Sequence, residues 1–209
     1  MGPTADDLIT VLDACTDELL GLSQLDWSAS AAHTDRNCPE TLQHLCLLPY
    51  SQQLATRSTE FRPLAVAMRH DAPTEELIWT LRTSMTVLAE VARAAPADAR
   101  AFHPAGMADV SGWVAMAMDE LVVHTSDIAT GLDATFTPPV ELVRPILDRL
   151  FPWWPRDVDP WLALLWSNGR IDLANRPRLG ISWLWHCAPL SEWDGTVPHW
   201  DPAVQQPLG

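Results

Sequence analysis

Two ionisable residues, Glu120 and His124, lie four positions apart in a stretch of otherwise largely apolar sequence. Apolar spacing predicts a helix over about 109–131, and residues four apart share one face of a helix. Trp113 and Ile128 fall on the same face, so it should point inward. An unpaired carboxylate in an apolar core costs several kcal/mol, so it must be paired, protonated or bound to a cation. The pattern therefore favours a metal site, and a direct Glu120–His124 hydrogen bond is the structural alternative.

A third ligand would have to come from another helix, and His44 is the best candidate. It lies among Leu42, Leu45 and Leu48, close to the apolar side of a predicted helix. Two imidazoles and one carboxylate, with a fourth position open to water or substrate, form the ligand set of a catalytic zinc site. The same set also serves other divalent ions. Five other histidines fall in apparent loops or in the C-terminal region, where surface or packing roles are expected: His33, His70, His103, His186 and His199.

Asp127 lies one turn beyond His124 on the predicted helix. In one interpretation its carboxylate accepts a hydrogen bond from a metal-bound imidazole and fixes the tautomer of that ring. In the other, it is the partner of an arginine elsewhere in the chain. The residue pattern leaves both interpretations open.

The elements that must position these residues are predicted to be helices. Four long helices with moderate connections suggest an antiparallel four-helix bundle over residues 1–135, which makes the fold mainly α. A loop over 96–106 would join the third helix to the fourth. The helices are predicted from apolar spacing and from Pro and Gly at their ends. The first spans 6–22, and the second starts at Pro39 and is kinked at Pro49. The third spans 73–95 and the fourth about 109–131.

The remaining region, 136–209, is predicted to be a small extension that packs on the bundle. It is rich in Pro, and eight of the 11 tryptophans lie between 153 and 200. A short helix is expected over 159–167, and 170–173 could pair with 181–186 as a β-hairpin. Because exposed tryptophans are costly, the extension should pack on the helices. It would either only stabilise the bundle as a cover or, in addition, form the roof of a pocket.

The composition excludes several classes of function. The 209 residues include 27 acidic and 13 basic ones, which gives a formal charge of −14, and every basic residue is Arg. Nucleic-acid binding needs a basic stripe, and Schiff-base or P-loop chemistry needs a lysine. The acidic N-terminal segment, the absence of a long apolar run and four cysteines without CxxC spacing predict a soluble, cytoplasmic protein with reduced thiols and no membrane partner.

Two segments resemble known helix motifs. Residues 39–45, PETLQHL, resemble the second-helix motif of the DinB-like superfamily. Residues 119–129, DELVVHTSDIA, are similar to the ExxxHxxD helix of its mycothiol-dependent maleylpyruvate isomerase-like branch. Segments 164–170 and 183–195 look like tails of actinobacterial members, so the resemblance extends over nearly the whole chain. One departure is the stretch 36–40, where family members often have a Gly-Trp or Glu-Trp step.

The resemblance implies a DinB-like four-helix bundle that holds a divalent metal ion, often zinc. Carried over by motif, the ligands are His44, Glu120 and His124, and Arg170 is a possible counterpart of the arginine that this branch uses in its C-terminal region. Members use a low-molecular-weight thiol such as mycothiol as cosubstrate. The Arg-only, Ala-rich composition fits the GC-rich actinobacteria that make mycothiol.

Two functions are compatible with these observations. The first is a metal-dependent, mycothiol-using isomerase or S-transferase that acts on a small electrophilic organic substrate, with Tyr50, Trp113 and tryptophans of the extension as pocket walls. The second is a non-catalytic helical bundle that binds a hydrophobic small molecule. In both, the partners are small molecules.

Overall fold

The chain is mainly helical, with a small two-stranded sheet. The computed structural model describes residues 2–62, 64, 69, 72–180 and 182–199. None of the helices in this part of the chain has both the length and the apolarity that a bilayer crossing requires. The elements are α1 (Ala5–Gly21), α2 (Cys38–His44), α3 (Leu48–Thr56), α4 (Thr74–Ala94), β1 (Arg100–His103), β2 (Gly106–Asp109), α5 (Val110–Gly131), α6 (Val140–Leu150), α7 (Pro160–Ser167) and a 3-10 turn (Leu190–Glu192).

Polar side chains define where several helices begin. Thr4 accepts a hydrogen bond from a first-turn amide of α1, and Asn37 and Glu40 form a reciprocal capping box at α2. Asp109 caps α5, and Asp159 caps α7. Each cap satisfies an amide that the helix itself leaves unpaired. The predicted helix starts near residues 39 and 109 are therefore confirmed at the level of individual hydrogen bonds.

The second predicted helix is in fact two helices. Instead of one helix kinked at Pro49, α2 ends at His44 and α3 begins at Leu48. Pro49 lies in the first turn of α3, where its missing amide hydrogen costs no helical hydrogen bond. The prediction was wrong because Pro49 marks a helix start rather than an interruption. His44 is consequently a helix-terminal residue at the break.

The segment predicted as a loop over 96–106 contains the first half of the sheet. Strands β1 and β2 pair antiparallel, with Phe102 opposite Met107 and His103 opposite Gly106. Gly106 has φ 134, in the region that favours glycine, and it closes the tight turn. This hairpin leads directly into α5.

The hairpin predicted in the extension does not form among the described residues. Instead of pairing with 182–186, Leu173 makes an isolated bridge with Arg176, and Trp183 bridges His199. Ile181, at the start of the second predicted strand, lies outside the described residues. The short turn at Asn175, with φ 62, returns the chain on itself too soon for a longer ladder.

Helix α5 is the centre of the packing. It contacts α1, α2, α4 and α6, and α7 packs on α6. Helix α6 was not predicted, although its apolar face is buried against this core. Its buried apolar residues are Val143, Ile146, Leu147 and Leu150. The region after 136 thus contributes directly to the hydrophobic core.

The start of α5 touches the C-terminal segment so closely that Gly112 has no room for a side chain. A Cβ atom there would lie 2.2 Å from the backbone oxygen of Cys187 and 2.9 Å from Nη2 of Arg149. We expect Gly112→Ala to lower the free energy of unfolding by about 3 kcal/mol, because backbone must move to make space. Urea unfolding measures the change.

Gly21→Ala is the matched control, because a Cβ atom at Gly21 meets nothing within 4 Å. That variant should be as stable as the natural chain or slightly more stable, since alanine favours helix. Equal stabilities of the two variants would show that the joint between α5 and Cys187 is looser than its geometry indicates.

Candidate metal centre

Three side chains predicted as ligands converge beside the break between α2 and α3. Oε2 of Glu120 lies 3.3 Å from Nε2 of His44 and 3.1 Å from Nε2 of His124. One ligand atom from each residue lies within 4.8 Å of the other two. Helix α5 supplies Glu120 and His124 from adjacent turns, and the end of α2 supplies His44. The structure therefore brings together the residues that the sequence selected.

The cluster has the geometry of a site for a small divalent ion. Ligands about 2.1 Å from a tetrahedral ion are about 3.4 Å from one another, close to the two measured separations. Oε2 of Glu120 is buried and has no hydrogen-bond partner in the described part of the chain. Both observations fit a cation between the three atoms. The 3.1 Å between Oε2 of Glu120 and Nε2 of His124 is also the separation of a direct Glu120–His124 pair, the structural alternative.

The electrostatics of the cluster also favour a cation. Burial alone would raise the pKa of Glu120, but the imidazoles of His124 and His44 outweigh it and hold the pKa well below its ordinary value. Burial opposes a charged His124, yet the carboxylates of Asp127 and Glu120 raise the pKa of the imidazole to about 9. A pocket that attracts a proton this strongly has the negative potential that a metal ion needs.

Asp127 contacts both of the partners that the two interpretations named, an imidazole and an arginine. Its side chain is 1% exposed, and Oδ2 lies 2.9 Å from Nδ1 of His124 and 2.8 Å from Nη2 of Arg170. A proton held on Nδ1 by this carboxylate leaves the lone pair of Nε2 free for a metal ion. Arg170 also donates to the backbone oxygen of Asn168 at 2.8 Å. Arg170 thus contacts His124 only through Asp127.

A cavity of about 480 Å³ opens at the centre, and His44 and Glu120 lie on its wall. Tyr50 and Trp113, predicted as pocket residues, both line it, whereas Arg170 is not among its lining residues. The rings of Tyr50 and Trp113 pack at an angle with centroids 4.9 Å apart. This volume lies in the usual range for small-molecule sites.

Sequence reasoning missed His103, which it placed in a solvated loop. The ring lies on the cavity wall and packs against Tyr50, Trp113 and Trp185, with centroid distances of 5.8, 5.5 and 5.6 Å. Its Nδ1 accepts a hydrogen bond from the amide of Ala105 at 3.1 Å. Burial lowers the pKa of His103 to about 4, so the ring is neutral and carries its proton on Nε2. The signal was the following Pro-Ala-Gly stretch, which is typical of a hairpin turn.

Asp119, next to the ligand Glu120, brings a tryptophan of the extension to the same cavity. Its two carboxylate oxygens accept hydrogen bonds from Nδ2 of Asn168 at 3.0 Å and from Nε1 of Trp185 at 2.9 Å. Burial raises the pKa of Asp119 to about 7. Trp185 lines the cavity, so the extension forms part of the pocket wall.

The four cysteines offer no nucleophile for this cavity. Burial raises the pKa of Cys46, the one that lines the cavity, to about 11, and that of Cys187 to about 12. Cys15 and Cys38 are buried as well, with pKa values raised by burial to about 12 and about 11. A reactive thiolate at the centre would have to come from a second substrate.

Comparison of the chain with family models, with curated proteins and with solved structures gives no match. The chemistry of the His44–Glu120–His124 cluster and of the adjoining cavity is therefore what points to a function. The other histidines in the described part of the chain lie elsewhere: His33 and His199 are exposed, and His186 is buried with Nε2 3.1 Å from the backbone oxygen of Pro189. His70 lies outside the described residues.

The low pKa of His103 predicts a specific dependence of stability on pH. Between pH 6.5 and about 4 the unfolded chain binds a proton at His103 that the folded chain does not, so the free energy of unfolding falls as the pH falls. The loss reaches about 3 kcal/mol at pH 4. Asp119 acts in the opposite direction, because its pKa is raised on folding.

The contribution of His103 is therefore measured as a difference between two proteins. His103→Asn keeps an acceptor for the amide of Ala105 and removes the titrating ring. Urea unfolding of the chelated proteins at pH 7 and pH 4.5 should show a smaller loss of stability in the variant. Identical losses would show that His103 is protonated in the folded chain at pH 4.5.

Proposed function

We propose that this chain is a metal-dependent enzyme that uses a low-molecular-weight thiol to modify a small electrophilic organic substrate. It would act as an isomerase or as an S-transferase, with zinc as the ion and mycothiol as the thiol. One observation carries the proposal. A buried carboxylate oxygen of Glu120 lies 3.3 and 3.1 Å from two imidazole nitrogens, at the wall of a cavity that suits a small molecule.

The proposed architecture is a DinB-like four-helix bundle made of α1, the broken pair α2 and α3, α4 and α5. The contacts of α1 with α4 and α5, and of α2 with α4 and α5, support it. In this arrangement the ligands come from two facing helices, as is common in bundle metal sites. The extension, 136–209, would close one side of the pocket through Trp185.

A divalent ion bound at this centre lowers the pKa of a thiol that reaches it and so supplies a thiolate near neutral pH. The residues of the chain prepare the site for that chemistry. Asp127 holds the proton of His124 on Nδ1, and Arg170 balances the charge of this buried carboxylate. The largely apolar cavity wall offers few polar groups that would hold water beside the reacting atoms.

In the transfer reaction, the sulfur would bond to an electrophilic carbon of the substrate. For an activated alkene, the π-electron pair moves away from that carbon, and the thiol proton ends on the neighbouring carbon. In isomerisation, rotation about the new single bond is followed by loss of the thiol, which regenerates the double bond. Neither sequence needs an external oxidant or reductant.

The second candidate, a non-catalytic protein that binds a hydrophobic small molecule, is favoured by the apolar wall of the cavity. It needs neither an ion nor a thiol. The two functions therefore differ in whether the purified protein should contain a metal ion and act on a substrate with a thiol.

The test is elemental analysis of the full chain purified without chelator and without a histidine tag. We expect about one divalent ion per chain. When mycothiol and an activated cis-alkene are added, a transferase should consume free thiol and an isomerase should convert the alkene to its trans form. Protein treated with chelator should do neither. A metal-free chain that still binds hydrophobic ligands would favour the second candidate instead.

A further inference from the structure

The cavity wall is aromatic and aliphatic over most of its area. Its apolar side chains include Leu47, Leu48, Phe61, Phe102, Trp113 and Trp185. Such a surface gains free energy by excluding water from an apolar ligand, and its rings can pack against a flat one. The wall therefore selects for ring-bearing, weakly polar molecules.

No arginine lies among the described residues that line the cavity, and the chain has no lysine. Arg62 and Arg69 flank the lining residue Leu64 in the sequence, but both pair with acidic side chains. Nη2 of Arg62 lies 2.8 Å from Oε1 of Glu60, and Nη1 of Arg69 lies 3.3 Å from Oε2 of Glu76. Among the described residues of this wall, a substrate carboxylate would therefore find neither an arginine nor a lysine.

The metal centre would not supply the missing positive charge. Neutral imidazoles add no charge, so the two positive charges of a divalent ion are balanced by the carboxylate of Glu120 and by one thiolate. A substrate carboxylate in the cavity would then be buried without compensation, at a cost of several kcal/mol. The formal charge of −14 on the whole chain also repels anions at longer range.

His103 adds one neutral hydrogen-bond donor to this apolar wall. Its Nδ1 is occupied by the amide of Ala105, so the proton lies on Nε2. Nε2 has no hydrogen-bond partner in the described part of the chain, although the ring lines the cavity. A carbonyl oxygen of a ligand is the group that such a donor would bind.

We propose that the cavity takes an uncharged aromatic electrophile with one carbonyl group, whose oxygen accepts a hydrogen bond from Nε2 of His103. The reaction of this ligand with a thiol rests on the proposed function, whereas its binding does not. In the addition, the sulfur bonds to the β-carbon, the π pair shifts toward the carbonyl oxygen, and the thiol proton ends on the α-carbon. His103 would stabilise the negative charge that develops on that oxygen.

The first experiment compares a matched pair of probes, methyl cinnamate and the cinnamate anion, by calorimetry at pH 7.5. The full chain is titrated with chelator present, because a divalent ion without a thiolate would keep a net positive charge that the anion could bind. We expect the ester to bind at least about tenfold more tightly than the anion. Equal or tighter binding of the anion, or no binding of the ester at millimolar concentration, would overturn the proposal.

The second experiment separates the donor of His103 from the packing of its ring. His103→Asn keeps the acceptor for Ala105 and removes the donor, so methyl cinnamate should bind about fivefold more weakly. Propenylbenzene, which has the ring and the alkene but no ester, should bind as before. His103→Gln places an amide donor near the position of Nε2 and should restore ester binding. Equal weakening for both probes in His103→Asn would assign His103 to packing alone.

The two proposals can fail separately. A chain that prefers the ester but holds no metal and neither consumes thiol nor isomerises the alkene would keep the binding proposal and overturn the enzyme. A chain that holds metal and carries out either reaction but prefers the anion would do the reverse.

Discussion

His124→Ala should purify without the stoichiometric divalent ion that we expect in the natural chain. The substitution removes one of the three candidate ligand atoms, Nε2 of His124, together with the imidazole ring that Asp127 contacts through Nδ1. Loss of an outer partner of a metal ligand already weakens binding by about 10–100-fold, so loss of the ligand itself should exceed a hundredfold. Elemental analysis of the purified protein and competition with a chromophoric chelator measure the effect.

Two variants calibrate this result. Asp127→Asn leaves all three ligands in place but weakens the hold on Nδ1 of His124, so its affinity for zinc should fall by about 10–100-fold. His199→Ala removes an exposed histidine of the extension and should leave the metal content unchanged. His124 does not line the cavity, so binding of methyl cinnamate should persist in His124→Ala. Full metal content in a folded His124→Ala protein would rule out the centre.

The three residues of the cluster could be selected from the sequence because helical periodicity is a local property. Glu120 and His124 share a face of one helix, and α5 spans Val110–Gly131 as predicted to within a residue. Two ionisable groups on a predicted buried helix face are unusual, and this can be recognised from the local sequence without knowing any distant residue. His44 could be selected for the same reason, since it lies beside apolar residues at helical spacing.

What could not be predicted depends on contacts between distant parts of the chain. His103 looked like a solvated loop residue because its strand is only four residues long, and its burial comes from packing against α5 and the extension. Trp185 reaches the cavity because its indole donates to Asp119, which lies 66 positions earlier. Neither local propensity nor spacing contains such a pairing.

Pro49 shows a different limit, in which the sequence signal was real but ambiguous. Proline is excluded from helix interiors and favoured in first turns, so the same residue can mark a kink or a start. In the folded chain a new helix, α3, starts at this proline. The resulting break leaves His44 at the end of α2, beside α5. The error in the predicted helix therefore lies at the position that shapes the candidate site.

Arg149→Met should destabilise the chain by about 3–5 kcal/mol, the largest change in stability that we expect from a single substitution. The guanidinium is 2% exposed and joins α6 to the start of α5 and to the C-terminal segment. Nη2 donates to Oδ1 of Asp109 at 2.6 Å and to the backbone oxygen of Cys187 at 2.9 Å. Nη1 donates to the backbone oxygen of His186 at 3.0 Å, and Nε donates to Oγ of Ser111 at 2.8 Å. Methionine fills similar space but leaves the backbone oxygens of His186 and Cys187 without this donor and the carboxylate of Asp109 without its paired cation.

Arg93→Met is the matched control, since it makes the same substitution on a helix with the same change in charge. Arg93 is 40% exposed and pairs with Asp6 and Glu90 at the surface, so its loss should cost less than about 1 kcal/mol. Arg149→Lys should fall between the two, because one ammonium can reach Asp109 but cannot serve every acceptor at once. For a chain of this size the loss in Arg149→Met corresponds to a melting temperature lower by about 10 °C.

Arg149→Met should also weaken ligand binding in the cavity, because Arg149 holds His186 and Cys187, which directly follow the cavity residue Trp185. If the guanidinium holds this segment in place, Arg149→Met should bind methyl cinnamate more weakly than Arg93→Met at a temperature where both are folded. None of the candidate metal ligands is a hydrogen-bond partner of Arg149, so zinc affinity should be retained. Unchanged stability in Arg149→Met would mean that the four acceptors find other donors, and that Arg149 does not hold the extension on the helices.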